Sequence, residues 1–290
     1  MERELWRRLY RMLLDLAPKS RPSGHVFSDL IVVAVYAWAV LNDRPVSWAC
    51  HVRNWPDELL TFALPSQSTL SRRLRSERVR ALCQRIEAHL RQRQPSTLVR
   101  RADSKPLPVG TYSRCRDARW GEAVKTKLRG YKFFTLNGGG IFPDAWDVSS
   151  MNASEPRVTR RLLLRLPEDA SGYVLADSAY DVNHLHALAA ARGLQLLAKR
   201  KRPERPVSQK PQHPARLRSI DLLEGPGLFG RQLYRLRTQV ERDLARMTNV
   251  AGGLYALPNW VRGLPCVRRY VQMKLILLAL RPTKTTRLTA

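Results

Sequence analysis

The sequence predicts an α/β domain, a mixed sheet with flanking helices, preceded by a helical N-terminal region. Three observations predict it. The apolar period is helical up to Pro95 and strand-like directly after it. Beyond Pro95 the elements follow as strand, hairpin of strands, helix, strand, helix, strand and helix, an order that builds a sheet with covering helices. With 290 residues, 44% of them hydrophobic, the chain can bury a sizeable core.

In the N-terminal region, Leu5, Leu9, Met12, Leu13 and Leu16 share one helical face, and Ala17-Pro18 ends that helix. Phe27 to Leu41 is the most apolar helix. Its unbroken apolar run from Leu30 to Leu41 is too short to span a bilayer. Pro45 suits the start of a short helix towards Val52. Ser66 or Ser68 can cap a helix that shows Ser68, Thr69, Arg72 and Arg73 outward and turns Leu70 and Leu74 inward. That pattern suits the second helix of a helix-turn-helix, and it equally suits a solvated basic helix. Val79 to Gln94 is a further helix.

After Pro95, Thr97 to Ala102 is a short strand ending in Asp103. Tyr131 to Asn137 and Ile141 to Val148 flank Gly138-Gly139-Gly140 as a hairpin. Ser154 to Leu166 is a helix, and Gly172 to Ala176 a strand ending in Asp177. Val182 to Arg192 is a helix, Leu194 to Ala198 a strand, and Leu228 to Met247 one long helix. A polar, Pro-rich loop opens with Lys199, Arg200, Lys201 and Arg202 and runs to about Arg218. It reads as a phosphate-gripping arm in preference to a solvated connector.

The formal charge is +27, from 51 Lys plus Arg against 24 Asp plus Glu. Such a balance calls for a polyanionic partner, because each neutralised phosphate releases counterions. Arginine dominates the basic residues, and its fork matches phosphate and guanine edges. Nucleic acid is therefore the expected partner, ahead of a membrane. Lys132, with Lys125, Lys127 and Arg129, is placed to track its backbone. Trp120, Trp146 and Trp260 are read as core or half-buried residues before base-stacking ones. Residues 1–20 lack a signal-peptide pattern and the four cysteines form no CxxC pair, so a cytoplasmic, nucleoid-associated protein is expected.

Three acids stand out. Asp103 and Asp177 each follow an apolar strand and sit in the same tripeptide, Ala-Asp-Ser. Glu241 lies in the long helix, with Tyr234 and Arg237 placed on its face by i, i+3 and i+7 spacing. Two strand-end aspartates, a late-helix glutamate and the element order between them resemble the DDE transposases of bacterial insertion sequences. Tyr234, Arg237 and Glu241 fit the Tyr-(2)-Arg-(3)-Glu-(6)-Lys signature of one group, with Thr248 at the Lys position. Gly130-Tyr131-Lys132, Asn152 and Leu175 to Asp181 are similar to that group as well, and the resemblance covers about residues 95–280.

The resemblance implies a ribonuclease-H-like catalytic domain over 96–290, behind a helical DNA-binding region over 1–95. It implies Asp103, Asp177 and Glu241 as catalytic residues and ligands of Mg²⁺ or Mn²⁺, in two sites. Tyr234 and Arg237 would position DNA phosphates, and Lys132, Arg72, Arg73, Lys199, Arg200, Lys201 and Arg202 would bind DNA. Transposon ends and target DNA are the implied substrates, cut and joined by a homodimer formed on DNA. The chemistry is consistent in its own terms. Phosphoryl transfer is helped by two divalent ions roughly 3.5–4 Å apart, and needs no histidine base. His184 and His186 are read as structural. A metal-dependent nuclease of the same fold, and an inactive transposase-derived DNA-binding protein, are the alternatives.

Overall fold

A computed structural model describes the chain except residues 19–23, 25, 111, 112, 124, 125, 208, 249–253, 255, 256 and 282–290. The chain divides into two compact units. One comprises Met1–Arg93 and the C-terminal stretch from Arg269, the other Gln94–Val250 and Leu254–Arg268. Among the described residues no helix is long and apolar enough to cross a membrane.

The first unit is helical. α1 (Glu2–Leu16) buries Leu5, Trp6, Leu9, Met12 and Leu13 along one face. α2 (Asp29–Leu41) is capped by Ser28, whose Oγ accepts from the Ile31 amide at 3.3 Å, and is buried from Val32 to Val40. A helix that is apolar all round belongs at the centre of its unit. α3 (Val46–Ala49) follows Pro45 and leads into 3-10 turns at Val52–Asn54 and Asp57–Leu59. α4 (Gln67–Arg73) and α5 (Glu77–Gln92) are capped by Ser66 and Ser76. Four of the seven tryptophans lie here. Trp38 stacks on Trp55 at 5.2 Å, and the indole N–H groups of Trp6, Trp38 and Trp55 donate to the carbonyls of Ala34, Asn54 and Ala49.

The second unit is built on one six-stranded mixed sheet. Its strands are β1 (Val99–Pro108), β2 (Arg119–Ala123), β3 (Thr126–Asn137), β4 (Ala145–Ser150), β5 (Gly172–Ala176) and β6 (Leu194–Ala198). The order is β2-β3-β1-β5-β6, with β4 also on β3. β3 is antiparallel to β1, β2 and β4, whereas β1, β5 and β6 run parallel. β2 takes Thr126 to Gly130 of β3 and β4 takes Tyr131 to Leu136, so the two share one edge. The flanking helices are α6 (Glu155–Leu163), α7 (Asn183–Ala191), α8 (Pro214–Glu224), α9 (Phe229–Arg235) and α10 (Gln239–Thr248). α11 (Leu264–Ala279) follows, and its residues from Arg269 group with the first unit.

One face of the sheet carries the main core. Ala102, Phe134, Leu136, Val174, Ala176, Leu196 and Ala198 meet Val158, Leu162 and Leu163 of α6 and Leu185 and Ala189 of α7. Successive strand residues point to opposite faces, so Arg101 and Asp103 lie on the other side of β1 from Ala102. This mixed sheet with flanking helices, behind a helical N-terminal region, is the predicted fold class.

Several element expectations need correction. β1 does not end at Asp103 but continues to Pro108, because β3 pairs with it over that whole stretch, Asp103 facing Thr135. The expected long helix from Leu228 to Met247 is α9 and α10 separated by a 3-10 turn at Leu236–Thr238. The polar loop after β6 ends at His213, whose side chain caps α8. β2 and α11 were not among the expected elements.

Candidate active site

The site begins with register. β1 and β5 pair in parallel as Val99–Tyr173, Arg100–Val174 and Arg101–Leu175, and the same offset carries Asp103 to Asp177. Asp103 lies on the face of β1 opposite the main core, and Asp177 follows directly on β5 and caps the 3-10 turn Ser178–Tyr180, close enough for its charge to act on Asp103. Gly172 helps set that register. Its φ of +101° is one that side-chain-bearing residues rarely adopt, and a Cβ there would come within 2.1 Å of the Leu98 carbonyl oxygen. The Tyr173 amide donates to that same oxygen at 2.7 Å.

Each carboxylate is steadied by a nearby backbone N–H. The Ser104 amide donates to Asp103 Oδ1, and the Ala179 amide to Asp177 Oδ1, both at 2.8 Å. Asp177 Oδ2 lies 3.8 Å from Arg237 Nη2. Burial pushes the Asp103 carboxyl up to about 6. The Ser104 amide and Arg237 oppose that rise, while the charges of Asp177 and Glu155 add to it. The Tyr234 hydroxyl donates to the Ala176 carbonyl at 2.8 Å, and Lys199 Nζ sits 5.3 Å from the Tyr234 ring centroid. Tyr234, Arg237 and Lys199 therefore gather at the end of β5 with Asp177.

Glu241 stands apart from this group. It is exposed in the first turn of α10, and among the described residues no three His, Cys, Asp or Glu side chains are arranged to hold a metal ion. The 3-10 turn breaks the single helical face that the spacing of Tyr234, Arg237 and Glu241 implied. Thr248 ends α10, and its side chain lies outside the described residues. The two aspartates by themselves suit a hard cation. Mg²⁺ takes oxygen donors and needs only one or two protein carboxylates, and a cation beside Asp103 would relieve the penalty that raises its carboxyl.

One acid near the pair escaped the sequence reading. Glu155 opens α6, and its Oε1 accepts from Ser104 Oγ at 2.9 Å and from Lys132 Nζ at 3.1 Å. In the sequence it is only a first-turn acid, and its nearness to Asp103 arises from the packing of α6 on the sheet.

The residues expected to bind DNA fall into two sets. Arg72, Lys199, Lys201 and Arg202 are exposed. The others are engaged within the protein. Arg73, expected outward, is buried: Nη2 binds Asp29 Oδ1 at 2.6 Å and Nη1 donates to the Phe27 carbonyl. Arg200 closes on Glu224 at 2.6 Å, and Lys132 is held by Glu155. Trp120 is 64% exposed, whereas Trp146 packs on Phe133. His186 is fully buried against Asp181. Lys125 lies outside the described residues.

Comparison with known proteins extends this description. The family model described as Transposase DDE domain matches residues 94–255, more than half of the chain. No curated protein matches. Among solved structures the chain is similar to a piggyBac transposase synaptic complex with hairpin DNA, at 10% identity and a TM-score of 0.37. That similarity covers 72% of this chain and 51% of that one, so the chain spans about half the length of the protein it matches.

Proposed function

The chain belongs to the Transposase DDE domain family, and from that premise we propose that it is a DNA transposase of an insertion sequence. In this reading it binds the ends of its own element, cuts DNA there and joins the freed ends to target DNA. The observation that carries the reading is the pair Asp103, on β1, and Asp177, directly after the parallel strand β5, whose charge acts on Asp103, both within the matched region.

Asp103 and Asp177 are the residues that would hold Mg²⁺ or Mn²⁺, two ions in all, and Glu241, which stands exposed and apart from the pair, would join them only after a movement of α10. The ions would supply a activated water nucleophile and charge neutralisation at the phosphate. The protein's own groups do the positioning. Arg237 neutralises Asp177 and offers further N–H donors to a phosphate oxygen, and Tyr234 holds the end of β5 through the Ala176 carbonyl. Lys199, Lys201 and Arg202 supply exposed charge beside the site, and Arg72 on α4 faces DNA from the helical region. That region, over 1–95, recognises the element ends, and 96–290 carries the chemistry. A homodimer on DNA brings two ends together, in the nucleoid of the cytoplasm.

The test is cleavage and strand transfer on a plasmid carrying the ends of the element. Wild type is expected to nick the ends and yield joined products. Asp103→Ala, Asp177→Ala and Glu241→Ala should each abolish cleavage while DNA binding and the fold persist. Near-native cleavage by any one of them removes that acid from the site, and cleavage by wild type without joined products reduces the function to a nuclease.

A further inference from the structure

The outward face of α6 is a row of arginines. Arg157, Arg160 and Arg161 lie on it, Arg165 follows just past the helix end, and Leu164 is the apolar residue among them. The opposite face buries Val158, Thr159, Leu162 and Leu163, and the helix's one acid, Glu155, is engaged with Ser104 and Lys132. On β4, Asp147 pairs in register with Phe134 and so lies on the side of the sheet that α6 covers. Asp147 is buried, and three guanidiniums converge on it. Arg161 and Arg268 stand 2.9 and 3.1 Å from its carboxylate, and Arg165 stands 3.9 Å away. Yet the three arginine side chains keep 41%, 46% and 51% of their surface exposed.

One guanidinium is enough to neutralise one carboxylate. Three against one leave a surplus of two positive charges, and these like charges repel each other. Arg157 and Arg160 add two more, with no side-chain hydrogen bond or ion pair among the described residues. A helix C-terminus favours a nearby cation, but Arg157 is in the first turn of α6 and Arg268 comes from α11. We propose that this face is a binding surface for the phosphate backbone of duplex DNA, with Asp147 holding three of its arginines in place. Half-exposed guanidiniums offer paired N–H donors to phosphate oxygens, and a carboxylate that fixes them reduces the freedom lost on binding. The surface lies across the sheet from Asp103, so it grips DNA away from the phosphate at the aspartates. The competing role is structural: Arg165 and Arg268 also donate to the Trp146 and Val148 carbonyls, and so cover the edge of β4.

The inference rests on the reading of the chain as a DNA transposase. It is tested on the full-length protein by fluorescence anisotropy with a labelled duplex of arbitrary sequence between 50 and 200 mM salt, with thermal melting in parallel. Arg160→Gln with Arg165→Gln leaves Arg161 and Arg268 on Asp147, and should melt within about 2 °C of wild type. Its affinity at low salt should fall more than about tenfold, and the slope of log affinity against log salt should shrink by about 2. Arg85→Gln with Arg93→Gln removes two exposed charges from α5 and its end, and should leave the slope nearly unchanged. If the first variant is not folded, Arg160→Gln alone serves, with the slope expected to shrink by about 1. A wild-type slope in the α6 variant that folds, or an equal loss in the α5 variant, overturns this surface while DNA binding itself stands. A wild type that binds no duplex overturns the transposase reading, and this surface with it.

Discussion

Replacing Asp103 by Asn measures the stability that the fold gives up to keep a carboxylate in the site. Burial raises its carboxyl to about 6 against an ordinary value of 3.8, so the folded chain binds the proton more tightly than the unfolded chain. Above pH 6 both states are ionised and the fold carries the whole penalty of a disfavoured charge. The gap corresponds to about 3 kcal/mol, which partial exposure and screening reduce to between about 1 and 3 kcal/mol. Below pH 6 the folded state takes up its proton first, and by about pH 4 the penalty is gone. Asn keeps an oxygen for the Ser104 amide and carries no charge. In EDTA, Asp103→Asn should therefore be the more stable protein at pH 8, by roughly 3–10 °C in melting temperature for a unit of this size. The advantage should shrink below pH 6 and vanish near pH 4. Divalent cation should raise the wild-type melting temperature and leave the variant where it was. A variant less stable than wild type at pH 8, or an advantage that does not change with pH, refutes the reasoning.

Arg73→Ala leaves Asp29 buried with only the half-exposed Arg78 beside it, and should destabilise the helical unit by about 3 kcal/mol in urea melts. Arg72→Ala should move stability by less than about 0.5 kcal/mol and lower affinity for DNA ends in a titration. Affinity for duplex DNA should fall about a thousandfold between 50 and 200 mM salt if about six phosphates are contacted; a flat response would assign the +27 charge another purpose. Gly172→Ala should cost more than about 1 kcal/mol, because the backbone there has positive φ and the new Cβ meets the Leu98 carbonyl. Unchanged melting would show that β5 does not need that turn.

Where local pattern decides structure, the sequence was readable. Leu194 to Ala198 is a short apolar run bounded by Gly193 and Lys199, and it forms β6 over those five residues. Both strands leading to the aspartates announced themselves in the same way. Beyond Asp103 the local signal fails: Lys105, Pro106 and Pro108 do not look like strand, and only pairing with β3 keeps them extended. β2, with Arg119, Trp120 and Glu122 around a glycine, likewise exists because β3 offers an edge. No Pro or Gly marks the break at Leu236–Thr238, so the period of the helix ran through it unseen. Arg73 illustrates the same gap for a side chain. Its helix places it beside Arg72, but its partner Asp29 is 44 residues away in sequence, and no periodicity links the two. The two aspartates came to notice as a repeated tripeptide, whereas Glu155 needed the packing of α6 to become visible.

The shared offset between β1 and β5 limits how the chain between the two aspartates can vary in length. Side chains alternate with a period of two, so one residue inserted between Arg101 and Asp103, or between Leu175 and Asp177, rotates that carboxylate into the apolar core. Two inserted residues restore the face but displace the carboxylate along the strand by about 7 Å, past its neighbour. Insertions and deletions are thereby confined to the connections, such as residues 138–144 after β3 and 164–171 before β5. Even there the room is narrow, because Phe142, Leu166 and Ala170 are buried and Gln94 bonds the Phe142 backbone, so only changes that spare those residues leave the two carboxylates beside each other.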